Sequence, residues 1–270
     1  MGVYRQQVLL KSSGGIVQPT RRLWEIDALR GVAIIMMVIY HLLWDLYFFA
    51  ILPNIALQVG FWKYFQRTTA TLFLILVGVS LVITNLRDRQ INSGQRIPFR
   101  KFLERGARIF GWGMVISLAV RIAGIGKIDF GILHLIGFAI IAAYPFLEWR
   151  WLNLLLWATL YLAGKFLQPG LVSVPWLVWL GLEPPFYDYL DYFPVIPWFG
   201  VVLLGIGLGN LLYRDNQNRL PLLDWSRWWP VRWLQALGRR SLPIYLLHQP
   251  VLFTLLLSLL FILRLMKLGQ

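Results

Sequence analysis

Apolar and polar positions do not alternate along most of this chain; the apolar ones gather into long blocks with short polar stretches between them. The blocks fall at 28–49, 69–86, 106–124, 130–147, 151–167, 195–213 and 241–263. About twenty helical residues cross about 30 Å of hydrocarbon, so each block predicts a membrane-spanning helix or one close to it. The pattern therefore predicts an all-α, polytopic membrane bundle of about seven helices, forming a single transmembrane domain over 23–268. Residues 1–22 hold Lys11, Arg21, Arg22, Gly14, Gly15 and Pro19 but no apolar core or small-residue cleavage site, which reads as a flexible leader rather than a secretory signal. Pro98 opens the basic amphipathic run FRKFLERGARIF leading into the third block. Between 168 and 194, Pro169, Pro175, Pro184, Pro185 and Pro194 interrupt an aromatic stretch. That segment reads as an irregular outer loop or re-entrant piece able to roof a site.

Composition reinforces the pattern. The 270 residues are 58% hydrophobic and only 14% charged, against about 45–50% and about 25% in ordinary soluble domains. A soluble enzyme and a disordered tail are both disfavoured. There is no Cys, which removes disulfides, thiolate metal sites and a Cys nucleophile. Gly78, Gly205, Gly207 and Gly209 read as close-packing positions between helices. Of the 14 Trp, several mark block ends, among them Trp149, Trp151, Trp225, Trp228 and Trp229, as in an aromatic belt.

The net charge of +14 suggests nucleic-acid binding until its distribution is considered. With strict alternation and the N-terminus inside, 19 of the 26 basic residues fall in the cytoplasmic segments 1–30, 87–108, 148–150 and 213–240. The excess is an orientation signal, predicting a cytoplasmic N-terminus and no nucleic-acid partner.

The sharpest local feature is WEIDALRGVAIIMMVIYHLLWDL in the first block. Ionisable side chains are costly in a bilayer and turn toward the bundle interior, so Asp27, Arg30, His41 and Asp45 need partners. The step of 11 from Arg30 to His41 returns to within about 20° of the same face and climbs roughly 16 Å. All four residues share that face. Asp27 and Arg30 are spaced i,i+3, and His41 and Asp45 i,i+4, so a carboxylate can orient an imidazole. Two readings stay open: a hydrogen-bonded pair stitching helices, or a general base held by its acid. His134 in FGILHLIG is either a packed histidine or a second acid/base group. His248 in SLPIYLLHQP reads as structural and poorly placed to share a reacting atom with His41. Three His on three different blocks do not form a metal motif, and no P-loop, GxGxxG or GxSxG is present.

The run RLWEIDALRGVAIIMMVIYHLLWDL, followed by RTTATLFLILVGVSL, FGILHLIG, DYFPVIPWFG and GRRSLPIYLLHQP, resembles the bacterial branch of the heparan-alpha-glucosaminide N-acetyltransferase catalytic-domain family. The likeness runs from about Arg21 to Phe253. The Arg30–Gly31–His41 spacing also resembles the first-helix motif of the membrane acyltransferase-3 family, whose His is regarded as catalytic. What the resemblance implies is acyl transfer, commonly of acetyl from acetyl-CoA, to a hydroxyl or amine of a sugar-like or lipid-linked acceptor at a bacterial inner membrane. The long branch with the lysosomal enzyme differs around the end of its first helix and has an added lumenal domain, so heparan-type acceptor chemistry is not implied. On this reading His41 is the catalytic base, Asp45 orients it, and His134 stabilises oxyanion charge. Arg30, Arg100, Lys101, Arg105, Arg108, Arg239 and Arg240 form a basic inner face for the donor's phosphates. No metal is expected, and partners beyond donor and acceptor are membrane lipids, with a homo-oligomer compatible. The competing reading is a proton-coupled transporter or flippase using the same polar face.

Overall fold

The computed structural model describes residues 23–92, 94, 97–166, 175–182, 184, 189–214, 217–218 and 223–268. The expected leader, and with it much of the 168–194 segment, including Pro169, Pro185 and Asp188, lies outside the described residues. The described residues form an all-α bundle of α1 (Trp24–Phe48), α2 (Gly60–Ile91), α3 (Phe99–Ile122), α4 (Ile132–Ala142), α5 (Trp151–Phe166), α6 (Val195–Leu212), α7 (Trp229–Arg239) and α8 (Ser241–Leu268). Short 3-10 turns occur at Tyr144–Phe146 and Pro175–Leu180, and a two-residue antiparallel ribbon pairs Tyr213 with Asn218 after α6.

Four of these helices, α1, α2, α6 and α8, are long and apolar enough to cross a membrane, which corrects the expected seven. The shortfall has local causes. The first half of α3 carries Arg100, Lys101, Glu104, Arg105 and Arg108, which shortens its apolar length. The fourth block is stopped after 11 helical residues, where Pro145 sits in a 3-10 turn, because proline lacks the N–H that would continue the helix. The fifth reaches only 16 helical residues. One further element, α7, lies within 213–240, which the block pattern left as a cytoplasmic segment without a helix.

Glycines set the helix crossings. A Cβ on Gly78 would come within 2.2 Å of the Val202 carbonyl oxygen, and one on Gly205 within 2.3 Å of that of Ile75, so α2 and α6 touch backbone to backbone. Gly207 receives Leu154 of α5, and Gly209 receives Val82 of α2. The α3–α4 crossing uses Gly106 and Gly137 in the same way. Without a Cβ, backbones approach closely enough for dispersion and weak polar contacts to hold apolar helices together.

These contacts also fix relative directions. Pairings of 75 with 205 and 82 with 209 make α2 and α6 parallel, whereas 106 with 137–141 and 113 with 134 make α3 and α4 antiparallel. Arg30 meets Ser80 and Ile26 packs with Ile83, so α1 and α2 are antiparallel. The main core lies between α2, α4 and α6, with Leu74, Leu135, Val202 and Ile206 fully enclosed. By contrast α8 is almost wholly exposed.

The described part of the proline-rich segment packs over α4. Leu190 and Phe193 donate backbone N–H groups to the Lys127 and Phe130 carbonyls, and the Tyr192 hydroxyl donates to the Val178 carbonyl at 2.8 Å. Trp179 lies against Phe130 and Phe138.

Candidate functional site

The polar face of α1 divides between two neighbours. Its first turns face α2: an Arg30 Nη donates to Asp27 Oδ1 at 3.0 Å and the other to Ser80 Oγ at 2.7 Å. These residues, with Leu23, Ile26, Ile83, Thr84 and Arg87, line a cleft of about 100 Å³. Against the same stretch of α1 lies α7, where a Cβ on Gly238 would come within 1.9 Å of the Asp27 carbonyl oxygen and one on Gly31 within 2.1 Å of that of Leu234. This crossing is antiparallel and sets Arg239 and Arg240 beside the Asp27–Arg30 end.

The other predicted basic segments converge on that end. Lys101 at the start of α3 pairs with Asp88 at the end of α2 at 3.2 Å, and Arg89 pairs with Glu148 beyond α4. So Arg87, Asp88, Arg89, Lys101 and Glu148, with Arg239 and Arg240, gather at the end where α1 begins. Among the seven expected donor-site cations the structure draws distinctions. Arg30 lines a cleft, whereas Arg100 is paired with Glu104 at 2.7 Å and Lys101 with Asp88. Arg105, Arg108 and Arg240 are exposed, and Arg239 directs its Nε to the Gln235 carbonyl at 3.1 Å.

About eleven residues further along, α1 meets α8. His41 and His248 lie edge to face with ring centroids 4.7 Å apart, Asp45 Oδ1 accepts from Gln249 Nε2 at 2.6 Å, and Phe49 packs on Phe253. Positions 41, 45 and 49 therefore pair with 248, 249 and 253, so the two helices run in the same direction. The expectation that His248 lies away from His41 is corrected. Two parallel helices start at the same end, and α8 approaches α1 at a level that counting residues from Ser241 did not reveal.

The expected His41–Asp45 pair does not form. His41 Nδ1 lies 2.9 Å from the Met37 carbonyl oxygen of its own helix, while Asp45, fully buried, turns to Gln249. A carbonyl oxygen only accepts, so His41 donates through Nδ1–H, and in the neutral ring the free lone pair is then the one on Nε2. The same holds for His248, whose Nδ1 lies 2.6 Å from the Tyr245 carbonyl oxygen. Its Nε2 is buried without a hydrogen-bond partner, as are Asp45 Oδ2 and Gln249 Oε1. Buried polar atoms are nearly always satisfied, so three unsatisfied acceptor atoms in one apolar seam mark a place arranged for something that donates. His248 and Gln249 are the residues that sequence reasoning missed; the available signal was the HQP run, polar inside an apolar block.

His134 is held by its own helix start. Its Nδ1 accepts the Gly131 N–H at 3.2 Å, closing the first turn of α4, so the ring hydrogen sits on Nε2. That atom is buried with no partner, and Phe110 and Phe130 enclose the ring. Asp191 joins the same helix start, its Oδ2 accepting the Ile132 N–H at 3.1 Å. No hydrogen bond or ring contact brings His134 to His41. Among the described residues no group of three or more His, Cys, Asp or Glu is arranged to hold a metal ion.

The family model described as heparan-alpha-glucosaminide N-acetyltransferase, catalytic, matches residues 22–250. The chain belongs to that family. The matched span takes in the cleft at Arg30 and the seam of His41, Asp45, His248 and Gln249, so the chain is a membrane-embedded catalytic domain of acyltransferase type. No curated protein and no solved structure matches it.

Proposed function

We propose that the protein transfers an acyl group, commonly acetyl, from cytoplasmic acyl-CoA to a hydroxyl or amine of a sugar-like or lipid-linked acceptor, with His41 as general base, in a bacterial plasma membrane. The observation that carries this reading is the pair of polar sites on one helix: a cationic cleft at Arg30, and roughly 16 Å along α1 by helical rise a seam with a bare imidazole nitrogen. The donor is a long molecule with charged phosphates at one end and a thioester at the other, and such a separation suits it. The crowding of basic residues around the start of α1 supports an N-inside orientation that meets a donor made in the cytoplasm.

In this mechanism Arg30, with Arg87 on the other wall of the cleft, holds phosphate at the inner end. Exposed Arg105, Arg108 and Arg240 raise the local potential, whereas Arg100 and Lys101 stand outside the cleft; Arg30 keeps its second guanidinium nitrogen on Ser80 while the first holds Asp27. His41 Nε2 accepts the proton from the acceptor X–H as X attacks the thioester carbonyl. The carbon–sulfur bond then breaks, and the proton returns to the departing thiolate as CoA–SH, leaving His41 neutral. The Met37 carbonyl fixes the tautomer this requires. Asp45 acts through Gln249 to hold α8 in register with α1, rather than by orienting His41. His134 is bonded at the start of α4 and is assigned no step in this mechanism.

The test is thiol release from acetyl-CoA by purified protein in proteoliposomes, across a panel of sugar and amine acceptors. The expected result is acceptor-dependent thiol release that His41→Ala removes. Full activity in His41→Ala would overturn the assignment of the base, and acceptor movement without acetyl-CoA consumption would establish transport instead.

A further inference from the structure

The two faces of α7 differ in chemistry. Val231, Leu234 and Gly238 press against α1. On the opposite face, Trp229, Arg232, Trp233, Ala236 and Arg239 follow one another at helical spacing and border a shallow open groove between their own side chains. The two indoles are 69% and 67% exposed, a large apolar area to leave in water. No carboxylate among the described residues pairs with Arg232 or Arg239, unlike Arg100, Lys101 and Arg89.

Arg232 and Arg239 are two turns apart, about 10 Å along the axis, with the small side chain of Ala236 between them. That leaves a floor flanked by two guanidiniums, whose planar forks suit phosphate oxygens. Direction matters as well. Leu234 lies at Gly31 and Gly238 at Asp27, so the Arg239 end sits at the charged end of the bundle and the Trp229 end points toward the middle of α1. From the charged end the stripe runs Arg239, Ala236, then Trp233 and Arg232 at nearly one level and Trp229 last, so a phosphate fits nearest the charged end while acyl chains run on past the indoles.

We propose that this groove binds one anionic phospholipid, its phosphate over Ala236 between Arg232 and Arg239 and its acyl chains along Trp229 and Trp233. The site lies outside the proposed reaction and anchors α7, and through Gly238 the reactive helix α1, to the inner leaflet.

Native mass spectrometry of the purified full chain, incubated with phosphatidylglycerol and phosphatidylcholine of matched chains, tests this. Phosphatidylglycerol adducts should dominate, and Arg232→Gln with Arg239→Gln should reduce them about tenfold. Ala236→Trp should do the same by filling the floor while keeping both charges. All three positions are exposed, and an unchanged elution volume on size exclusion confirms the fold. Equal retention of the two lipids, or a preference unchanged in the variants, overturns the proposal. Displacement of the lipid by acetyl-CoA, with acetyl-CoA affinity lost in the double variant, also overturns it and gives the groove to the nucleotide.

Discussion

His41 and His248 stand edge to face with ring centroids 4.7 Å apart, each pinned by Nδ1–H to a carbonyl of its own helix. The pinning places an acceptor nitrogen on each ring in the same seam, and on the proposed mechanism His248 acts by positioning His41 rather than by a step of its own. His41→Gln is expected to lower acyl transfer by about 10²-fold or more, the usual loss for a general base. His248→Gln should cost about tenfold, by loosening the arrangement of the first ring, and the double variant should be no worse than His41→Gln alone. Thiol-release rates for the three variants check this; losses that multiply would show independent roles.

Asp45 and Gln249 offer a test of the α1–α8 register. Removing the donor in Gln249→Leu leaves a buried carboxyl group with neither oxygen bonded. The expected loss is about 1–3 kcal/mol of stability, and Asp45→Leu together with Gln249→Leu should recover much of it, because the unsatisfied group is then gone. Thermal melts in detergent measure both. If the double variant is less stable than Gln249→Leu, the polar pair is stabilising in itself.

Much of this arrangement was legible before the structure. The polar face of α1 follows from a 100° step alone, and the structure pairs Asp27 with Arg30 as the i,i+3 spacing required. Gly78, Gly205, Gly207 and Gly209 were recognisable as packing glycines because apolar helices associate through small residues. What was not legible depended on tertiary choice. An i,i+4 acid and histidine can bond each other, yet Asp45 finds Gln249 204 residues away and His41 takes the Met37 carbonyl. α7 was missed because Arg232, Gln235 and Arg239 lower its mean hydropathy to that of a loop, although Val231, Leu234 and Gly238 recur at helical spacing on the face that meets α1. His134 resembled a catalytic residue by position, whereas its Nδ1 is used by the turn that starts α4.

The α1–α7 crossing should be intolerant of any side chain. At Gly31 and Gly238 the colliding atoms are backbone oxygens, which cannot rotate away. Gly31→Ala or Gly238→Ala is expected to cost about 1–3 kcal/mol through forced separation of the helices. At Gly111 on α3 a Cβ meets nothing within 4 Å, so Gly111→Ala should be neutral or stabilising by up to about 1 kcal/mol, the helix-propensity gain. Comparing melting temperatures of the three variants separates crossing geometry from propensity. A Gly31→Ala protein as stable as Gly111→Ala would show that the backbones do not meet there.

Arg30 and Lys101 are both cations at the charged end, but only Arg30 lines the cleft. Arg30→Gln is therefore expected to raise the KM for acetyl-CoA about tenfold or more, by removing a charge-assisted phosphate contact. Lys101→Gln should change it less than about twofold, because Lys101 stands outside the cleft on the exposed start of α3, where a charge is screened by solvent. Equal effects would place the donor on the whole basic surface rather than in the α1–α2 cleft.

Asp191 predicts a pH dependence outside the spanning helices. Burial pushes its carboxyl up to about 6, against the stabilising hydrogen bond from the Ile132 N–H. A folded pKa above the unfolded value means that the native state binds more protons between them. The associated stability is fully present below pH about 4, the unfolded carboxyl value, and is lost as pH rises through about 6. Asp191→Asn keeps an oxygen for the Ile132 N–H but has no proton to lose, so its melting temperature should fall less than the wild type's between pH 4 and pH 7. Parallel wild-type and variant slopes over that range would show that the carboxyl group titrates as though exposed.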